Sequence, residues 1–420
     1  MKFEPHTVLP DLSKPNFQSW LIVALLWGAI CLNYLDRLMI TTMRGSIMEA
    51  IPMTEAQFGL LTSIFLIVYA IVSPFAGYFS DRFNRSHIIT GCVLTWSLVT
   101  LLTPYARTYE QLVFSRALLA LSQAACMPAS ATLIVDYHRG STRSLASGII
   151  LSGAMAGAAM SGLGGWFADA HDWTYSYKLF GFIGIVYAVG LMFLLRELPF
   201  KQSESTTSTP PERIKLKEAF ISLATNRAYL SILVFGSLLG VVGWSVIGWM
   251  PTYIKEHFNL TEGKAGLLTT VCLNASALLG MLIGGIWADR WSRTHPRARL
   301  LVPIIGLCCA APAVLLIAKT PVLGLALAGL SLYGLARYFT DPNMMPILCL
   351  IVDSRLRATS WGISTFFSCI VGGMGIYAGG LLRDAHIDIS RIFQFAAINL
   401  VICAVILYCL SRSKNIIAKE

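Results

Sequence analysis

Charge is scarce in this sequence. Asp, Glu, Lys and Arg make up 13% of its 420 residues, against roughly 25% in a soluble domain. Other signals are missing too. The ten cysteines (Cys31, Cys92, Cys126, Cys272, Cys308, Cys309, Cys349, Cys369, Cys403 and Cys409) form no C-x-x-C pair and all lie in apolar runs. They read as small packing residues, not as disulfides or metal ligands. His171, His257, His295 and His386 are expected in loops, away from paired Cys or acidic partners, so neither a metal site nor a cofactor is expected. No G-x-x-x-x-G-K-[ST] stretch occurs, which removes ATP as an energy source. No nucleophile elbow or catalytic cluster stands out, so the chain does not read as an enzyme. The net charge of +10 comes without a basic patch interleaved with stacking aromatics, so nucleic acid is not an expected partner. The polar stretch through Ser19, with Pro5, Pro10 and Pro15, lacks a cleavable-signal pattern. The first apolar run is therefore expected to stay as a membrane helix.

What is abundant is apolar: 55% of residues are hydrophobic and the mean hydropathy is +0.66. The expected class is an all-α, multi-pass membrane protein, with the lipid bilayer as solvent for most of its surface. Twelve apolar runs are visible, at about 20–42, 57–79, 87–104, 110–134, 144–168, 177–195, 228–253, 265–288, 300–318, 321–350, 357–382 and 391–411. Residues 196–227 form the longest polar segment. Ser203 to Pro211 has the composition of a flexible linker, and Glu212 to Phe220 suits a short interfacial helix. The expected organisation is thus a first six-helix bundle (1–195), a cytoplasmic linker (196–227) and a second bundle (228–420). With both termini inside, 21 Lys and Arg fall on the cytoplasmic side and 8 on the other, the distribution that the positive-inside rule requires. The expected location is an inner or plasma membrane, with a monomer as the working unit.

The halves echo each other. Gly77-Tyr78-Phe79-Ser80-Asp81-Arg82-Phe83-Asn84-Arg85 and Gly285-Ile286-Trp287-Ala288-Asp289-Arg290-Trp291-Ser292-Arg293 both read G-x-x-x-D-R-x-x-R. Met127-Pro128, Asp136, Arg143 and Gly148 match Met345-Pro346, Asp353, Arg357 and Gly362. Gly162, Gly164, Gly165 and Asp169 match Gly379, Gly380 and Asp384. Parallel six-helix repeats are the plan of one large transporter class. On these motifs the chain resembles the major facilitator superfamily along nearly its whole length. The resemblance implies two six-helix bundles that rock about a central site. The duplicated loop, with Gly77, Asp81, Arg82, Arg85, Gly285, Asp289, Arg290 and Arg293, would latch them on the cytoplasmic side. A carboxylate at a helix end can pair there with Arg or with a facing helix N-terminus.

Charges inside the apolar runs mark the candidate site. Asn33-Tyr34-Leu35-Asp36-Arg37 lies late in the first run, Arg116 and Gln123 share a face of the fourth, and Arg337 and Asp341 stand one turn apart in the tenth. Intramembrane charges usually face a cavity or a substrate path. Asp36, Arg37 and Arg116 are expected at one level of one cavity, where two cations and one anion favour an anionic substrate. The Arg337 and Asp341 couple is equally readable as structural. Pro342 and Pro346 should interrupt the tenth helix, making Asp341-Pro342-Asn343 a candidate ligand segment. Further substrate-contact candidates are Tyr34, Trp244, Trp249, Asn274, Tyr333, Asn343, Trp361, Ser364 and Gln394.

Within the superfamily, the sequence is similar to the anion:cation symporter branch, which carries hexuronates, aldonates and sialic acid, and to the spinster-like branch of lysolipid and sphingolipid transporters. Both have D-R near the end of the first helix, and in the fourth an Arg followed seven residues on by a Glu. Here Asp36-Arg37 and Arg116 match, while Gln123 replaces the Glu. The resemblance makes that Glu a proton site in the symporters. Gln cannot titrate, though its amide still hydrogen-bonds. Proton coupling is then expected at Asp36, with Asp341 as second candidate; sodium coupling or no coupling stays open. The fifth run lacks the Gly-Pro step of the superfamily's drug antiporters, which weighs against an exporter of that type. The expected function is proton-coupled symport of a small organic anion such as an acidic sugar. The alternative is lysolipid or sphingolipid transport, because residues 77–85 look closer to the spinster-like loop. A receptor on a transporter frame would need a large extramembrane domain, which no polar segment here supplies.

Overall fold

The structure is a computed structural model that describes residues 17–80, 83–138, 142–195, 222–295, 297–352 and 356–412. Among them it is all helix and turn, with no strand. The first half holds α1 (Phe17–Leu38, continued by a 3-10 turn at Met39–Thr42), α2 (Arg44–Ala50), α3 (Glu55–Ser80), α4 (Arg85–Leu102), α5 (Tyr109–Gln123), α6 (Cys126–Tyr137), α7 (Arg143–Met160), α8 (Gly162–Ala170) and α9 (Trp173–Leu194). The second holds α10 (Arg227–His257), α11 (Glu262–Ser292), α12 (Ala298–Lys319), α13 (Leu323–Arg337), α14 (Asp341–Ile351), α15 (Arg357–Asp384) and α16 (Ser390–Ser411). The linker 196–227 and its expected interfacial helix fall almost wholly outside the described residues.

Polar side chains start these helices where the chain leaves the apolar runs. Asn84, Thr108, Asp172, Asn226 and Thr261 each accept a hydrogen bond from a first-turn amide, satisfying donors that have no partner within the helix. Lipid-facing surface shows at helical spacing: Phe182, Val186, Val189 and Phe193 of α9 are all exposed. Such a stripe is stable only against an apolar solvent.

Among the described residues, eleven helical segments are long and apolar enough to cross a membrane. The tenth apolar run, expected as one span, is instead two shorter helices, α13 and α14, parted at Tyr338–Thr340. Pro342 has no N–H to give the Tyr338 carbonyl, and its ring crowds that oxygen. Pro346, also expected to interrupt the run, lies within α14. The fourth and fifth runs are jointed too, at Ala124–Ala125 and Ser161.

The halves meet along two seams, α3 against α15 and α11 against α7 and α8, with the Met39–Thr42 turn wedged beside α8, α10 and α11. Between described residues, the hydrogen bonds and ion pairs that join the halves lie toward the end opposite the termini. Ser63 Oγ donates to the Gly373 carbonyl (2.6 Å) and Thr270 Oγ1 to the Ala159 carbonyl (2.9 Å). At the rim, Arg44, Glu55, Glu256 and Arg383 form a ring of ion pairs. The structure is closed at that end.

Candidate functional site

Below the closed end lies a pocket shared by both halves. Arg37 and Thr41 (first run), Phe65 (α3) and Arg116 (α5) line one wall, and Trp244 (α10) and Ile376 (α15) the other. Three aromatic rings surround the Arg37 guanidinium, at 4.6 Å (Tyr34), 4.7 Å (Phe65) and 4.8 Å (Tyr69) from their centroids. Each ring face attracts the cation, more strongly away from water. Arg37 also donates to Asn33 Oδ1 (3.1 Å) and, at 3.5 Å, to Gln123 Oε1. Gln123 Nε2 donates to the Asn33 carbonyl (3.3 Å). Arg116 Nη2 donates to the Arg37 carbonyl (2.9 Å), and its guanidinium sits 5.2 Å from the Phe65 ring.

What is left unsatisfied shows what the site can do. Arg37 Nε and Arg116 Nε and Nη1 are buried without acceptors. Among the described residues no carboxylate stands within ion-pair distance of either guanidinium. Buried donors of this kind are costly unless a ligand or water takes them, and two cations side by side call for an anion.

Asp36 departs from the expected arrangement. It is buried, and neither oxygen has a hydrogen-bond partner. It lies near Thr100 of α4 and Arg116 and is not among the residues that line the pocket. Consecutive residues on a helix point about 100° apart, so Arg37 faces the pocket while Asp36 turns into the first half. Arg116 touches both sides.

In the second half, Arg337 Nη1 pairs with both Asp341 oxygens at 2.9 Å, across the break between α13 and α14. The same guanidinium lies 4.3 Å from the Tyr338 ring. Other candidates stand apart. Asn274 and Asn343 donate within their own segments, to the Thr270 and Phe339 carbonyls (2.8 and 2.9 Å). Tyr333 is buried in the second half's core, and Trp361 is 43% exposed on α15. Trp249 is buried and donates to the Ile376 carbonyl (3.1 Å). The Ser364 hydroxyl is buried without a hydrogen-bond partner, and Gln394 accepts from Arg391 (3.2 Å) on the surface.

The loop motif is only partly described. Asp81 and Arg82 lie outside the described residues, as do the side-chain surroundings of Gly77. Arg85 opens α4 and Gly285 packs beside Pro342. Asp289 pairs with Arg299 of its own half at 3.6 Å, and Arg290 and Arg293 are exposed. Among the described residues no cluster of His, Cys, Asp and Glu could hold a metal.

Three contributors escaped the sequence reading: Phe65, Tyr69 and Tyr338. The first two stand one turn apart on α3 and stack at 5.9 Å. Their spacing was visible, but nothing in the sequence said that this face meets Arg37.

The sequence profile of the Major Facilitator Superfamily matches residues 26–376. Among curated proteins, the chain is similar to an MFS-type efflux pump of Mycolicibacterium smegmatis (strain ATCC 700084 / mc(2)155). The two are 23% identical over 375 residues, covering 88% of this chain and 86% of the relative. It is similar also to protein spinster homolog 1 of Bos taurus, 26% identical over 413 residues, covering 92% and 78%. A solved structure of a bacterial homolog to the human lysosomal transporter spinster, inward-facing and unoccupied, superimposes with a TM-score of 0.81 at 22% identity. That match covers 97% of this chain and 99% of that one.

Proposed function

Because the chain belongs to the Major Facilitator Superfamily, we propose that this multi-pass membrane transporter carries a small organic anion by alternating access, the negative group being taken by Arg37 and Arg116. The observation that carries this reading is the pair of buried guanidiniums, both with unpartnered N–H groups, on two residues that line a pocket between the halves. The broken α13 and α14 pair would form the twelfth span. With the termini cytoplasmic, as the distribution of Lys and Arg favours, the closed end is the outer one and the protein faces inward. Placement in an inner or plasma membrane and action as a monomer complete the reading.

Coupling is assigned to a proton on Asp36. It adjoins Arg37 and Arg116, so protonation would alter the charge beside the anion site during the cycle. Asp341 is held by Arg337, and is the second candidate.

Two cargo classes fit. An acidic sugar supplies a carboxylate to the guanidiniums and C–H faces to Trp244. A lysolipid supplies a phosphate, and two observations favour it: the pocket is otherwise lined by Leu38, Phe65, Leu66, Ile247 and Ile376, and the relatives include spinster proteins. Uptake into proteoliposomes separates the classes. Uronates, aldonates, sialic acid and lysolipids would be offered under proton or sodium gradients, to wild type and to Arg116→Ala. An anion taken up by wild type and lost in the variant is the expected result. Uptake that ignores Arg116 refutes the site. Uptake driven only by sodium refutes the proton.

A further inference from the structure

The closed end is built twice. Thr54-Glu55-Ala56-Gln57-Phe58-Gly59-Leu60-Leu61-Thr62 opens α3, and Thr261-Glu262-Gly263-Lys264-Ala265-Gly266-Leu267-Leu268-Thr269 opens α11. Both read T-E-x-x-x-G-L-L-T. Gly164-Gly165-Trp166-Phe167-Ala168-Asp169 runs along α8, and Gly379-Gly380-Leu381-Leu382-Arg383-Asp384 closes α15. Both read G-G-x-x-x-D. The structure joins these four segments crosswise between the halves. Asp169 accepts from the Gly263 amide at 2.7 Å. Asp384 accepts from the Glu55 and Ala56 amides at 2.9 and 3.0 Å.

The contacts beneath repeat as well. A Cβ at Gly380 would collide with the Glu55 carbonyl, and one at Gly165 would crowd the Glu262 carbonyl and Thr42. Lower again come the hydroxyls of Ser63 and Thr270, equivalent positions in the repeat, which cross to the Gly373 and Ala159 carbonyls. Each clasp thus has three rungs: a carboxylate on amides, a glycine contact and a hydroxyl bridge. The rungs span about 12 Å of helix.

A carboxylate at a helix N-terminus satisfies orphan amides and meets the positive end of the helix dipole. Here it comes from the other half, although each helix has a local partner for its first turn. Thr54 accepts from the Gln57 amide (3.1 Å) and Thr261 from the Lys264 amide (3.4 Å). The helices do not need the distant carboxylate to begin; the joint between the halves does. The geometry points to Asp169 and Asp384 as reciprocal clasps that hold the end opposite the termini closed and release together when the halves rock. They are positioning residues, remote from the cargo pocket. The inference rests on the alternating-access reading but not on the cargo.

Hydrogen exchange read by mass spectrometry tests it on the full chain without cargo. The segments followed are 42–63, 158–170, 255–270 and 373–386. Asp169→Ala should raise exchange roughly fivefold, the effect expected of losing one helix cap. The rise should appear at its own clasp and also at the distant one, residues 54–63 and 373–386, because one rocking motion opens both. Asp384→Ala should act in mirror image. The double variant should multiply the two effects, since the sites share no partner. Asp169→Asn and Asp384→Asn keep an acceptor oxygen, so they should stay near wild type and show that the fold tolerates the sites. A rise confined to the altered clasp would mean that the carboxylates only trim helix ends, and would overturn the proposal. No rise in either Ala variant would overturn it as well.

Discussion

Gln123 sets the charge of the pocket. Its carbonyl oxygen is 3.5 Å from Arg37 Nη2, close enough for a carboxylate in its place to pair with the guanidinium. As a neutral amide it orients Arg37 and leaves the positive charge for the cargo. Gln123→Glu should therefore weaken anion binding, raising half-saturation for uptake about tenfold, equivalent to about 1.4 kcal/mol of competition by the new ion pair. Arg37→Lys tests the aromatic surround. The charge remains, but the planar group that meets Tyr34, Phe65 and Tyr69 is lost, and Lys is a poor substitute where a guanidinium stacks. A rise in half-saturation of about tenfold is expected in the same uptake assay. An unchanged half-saturation in both variants would move the anion away from Arg37. Such detail was half legible. Asp36, Arg37 and Arg116 announced themselves as charges in apolar runs. Which way each pointed was not legible, because adjacent helical residues diverge and only packing decides which face meets the partner half.

At the scale of elements, breaks and caps carry the argument. The break before Pro342 was readable from proline chemistry alone. The crosswise clasps were not, although their repeats stood in the sequence, because a pairing such as Asp169 with Gly263 leaves no local signal. Local caps are more legible, and Asp172 is one. It begins α9 by accepting from the Thr174 and Tyr175 amides, and the Thr174 hydroxyl, together with those amides, holds its carboxyl below the usual range. A folded value lowered in this way gives a contribution that is present above the unfolded value, near 4. It fades as pH falls through the lower folded value. Asp172→Ala should cost about 1 kcal/mol at neutral pH. The difference in thermal unfolding between variant and wild type in detergent should shrink on acidification below about pH 4. A gap that persists unchanged down to pH 3 would rule out the carboxylate as its source.

At the scale of the whole molecule, the ring at the closed end shows how two bodies can be held and still let go. Arg44 pairs with Glu55 of its own half and, at 3.3 Å, with Glu256 of the other. Arg383 pairs with Glu256 of its own half at 2.8 Å and with Glu55 of the other at 3.2 Å. Separating the halves breaks two of the four pairs, yet every charge keeps a partner. No charge is orphaned in the open state, so opening avoids the several kcal/mol that a lone buried ion would cost. Burial and the nearby Arg383 push Arg44 down to about 10, so it remains a cation at neutral pH and the ring stays intact there. The two crossing pairs are partly exposed, Glu256 at 42%, and pairs of that kind contribute roughly 0.2–1 kcal/mol each. Closure should therefore depend on salt. Between about 0.05 and 0.5 M the screening length contracts below the span of the ring, and exchange of segment 42–63 should rise two- to fivefold. Arg383→Ala should begin from a higher rate and respond less to salt, because one crossing pair is already gone. Arg383→Glu places a third carboxylate in the ring and should raise the rate further at low salt. Added salt should then lower it, a reversal of sign that simple loss of packing at residue 383 would not produce.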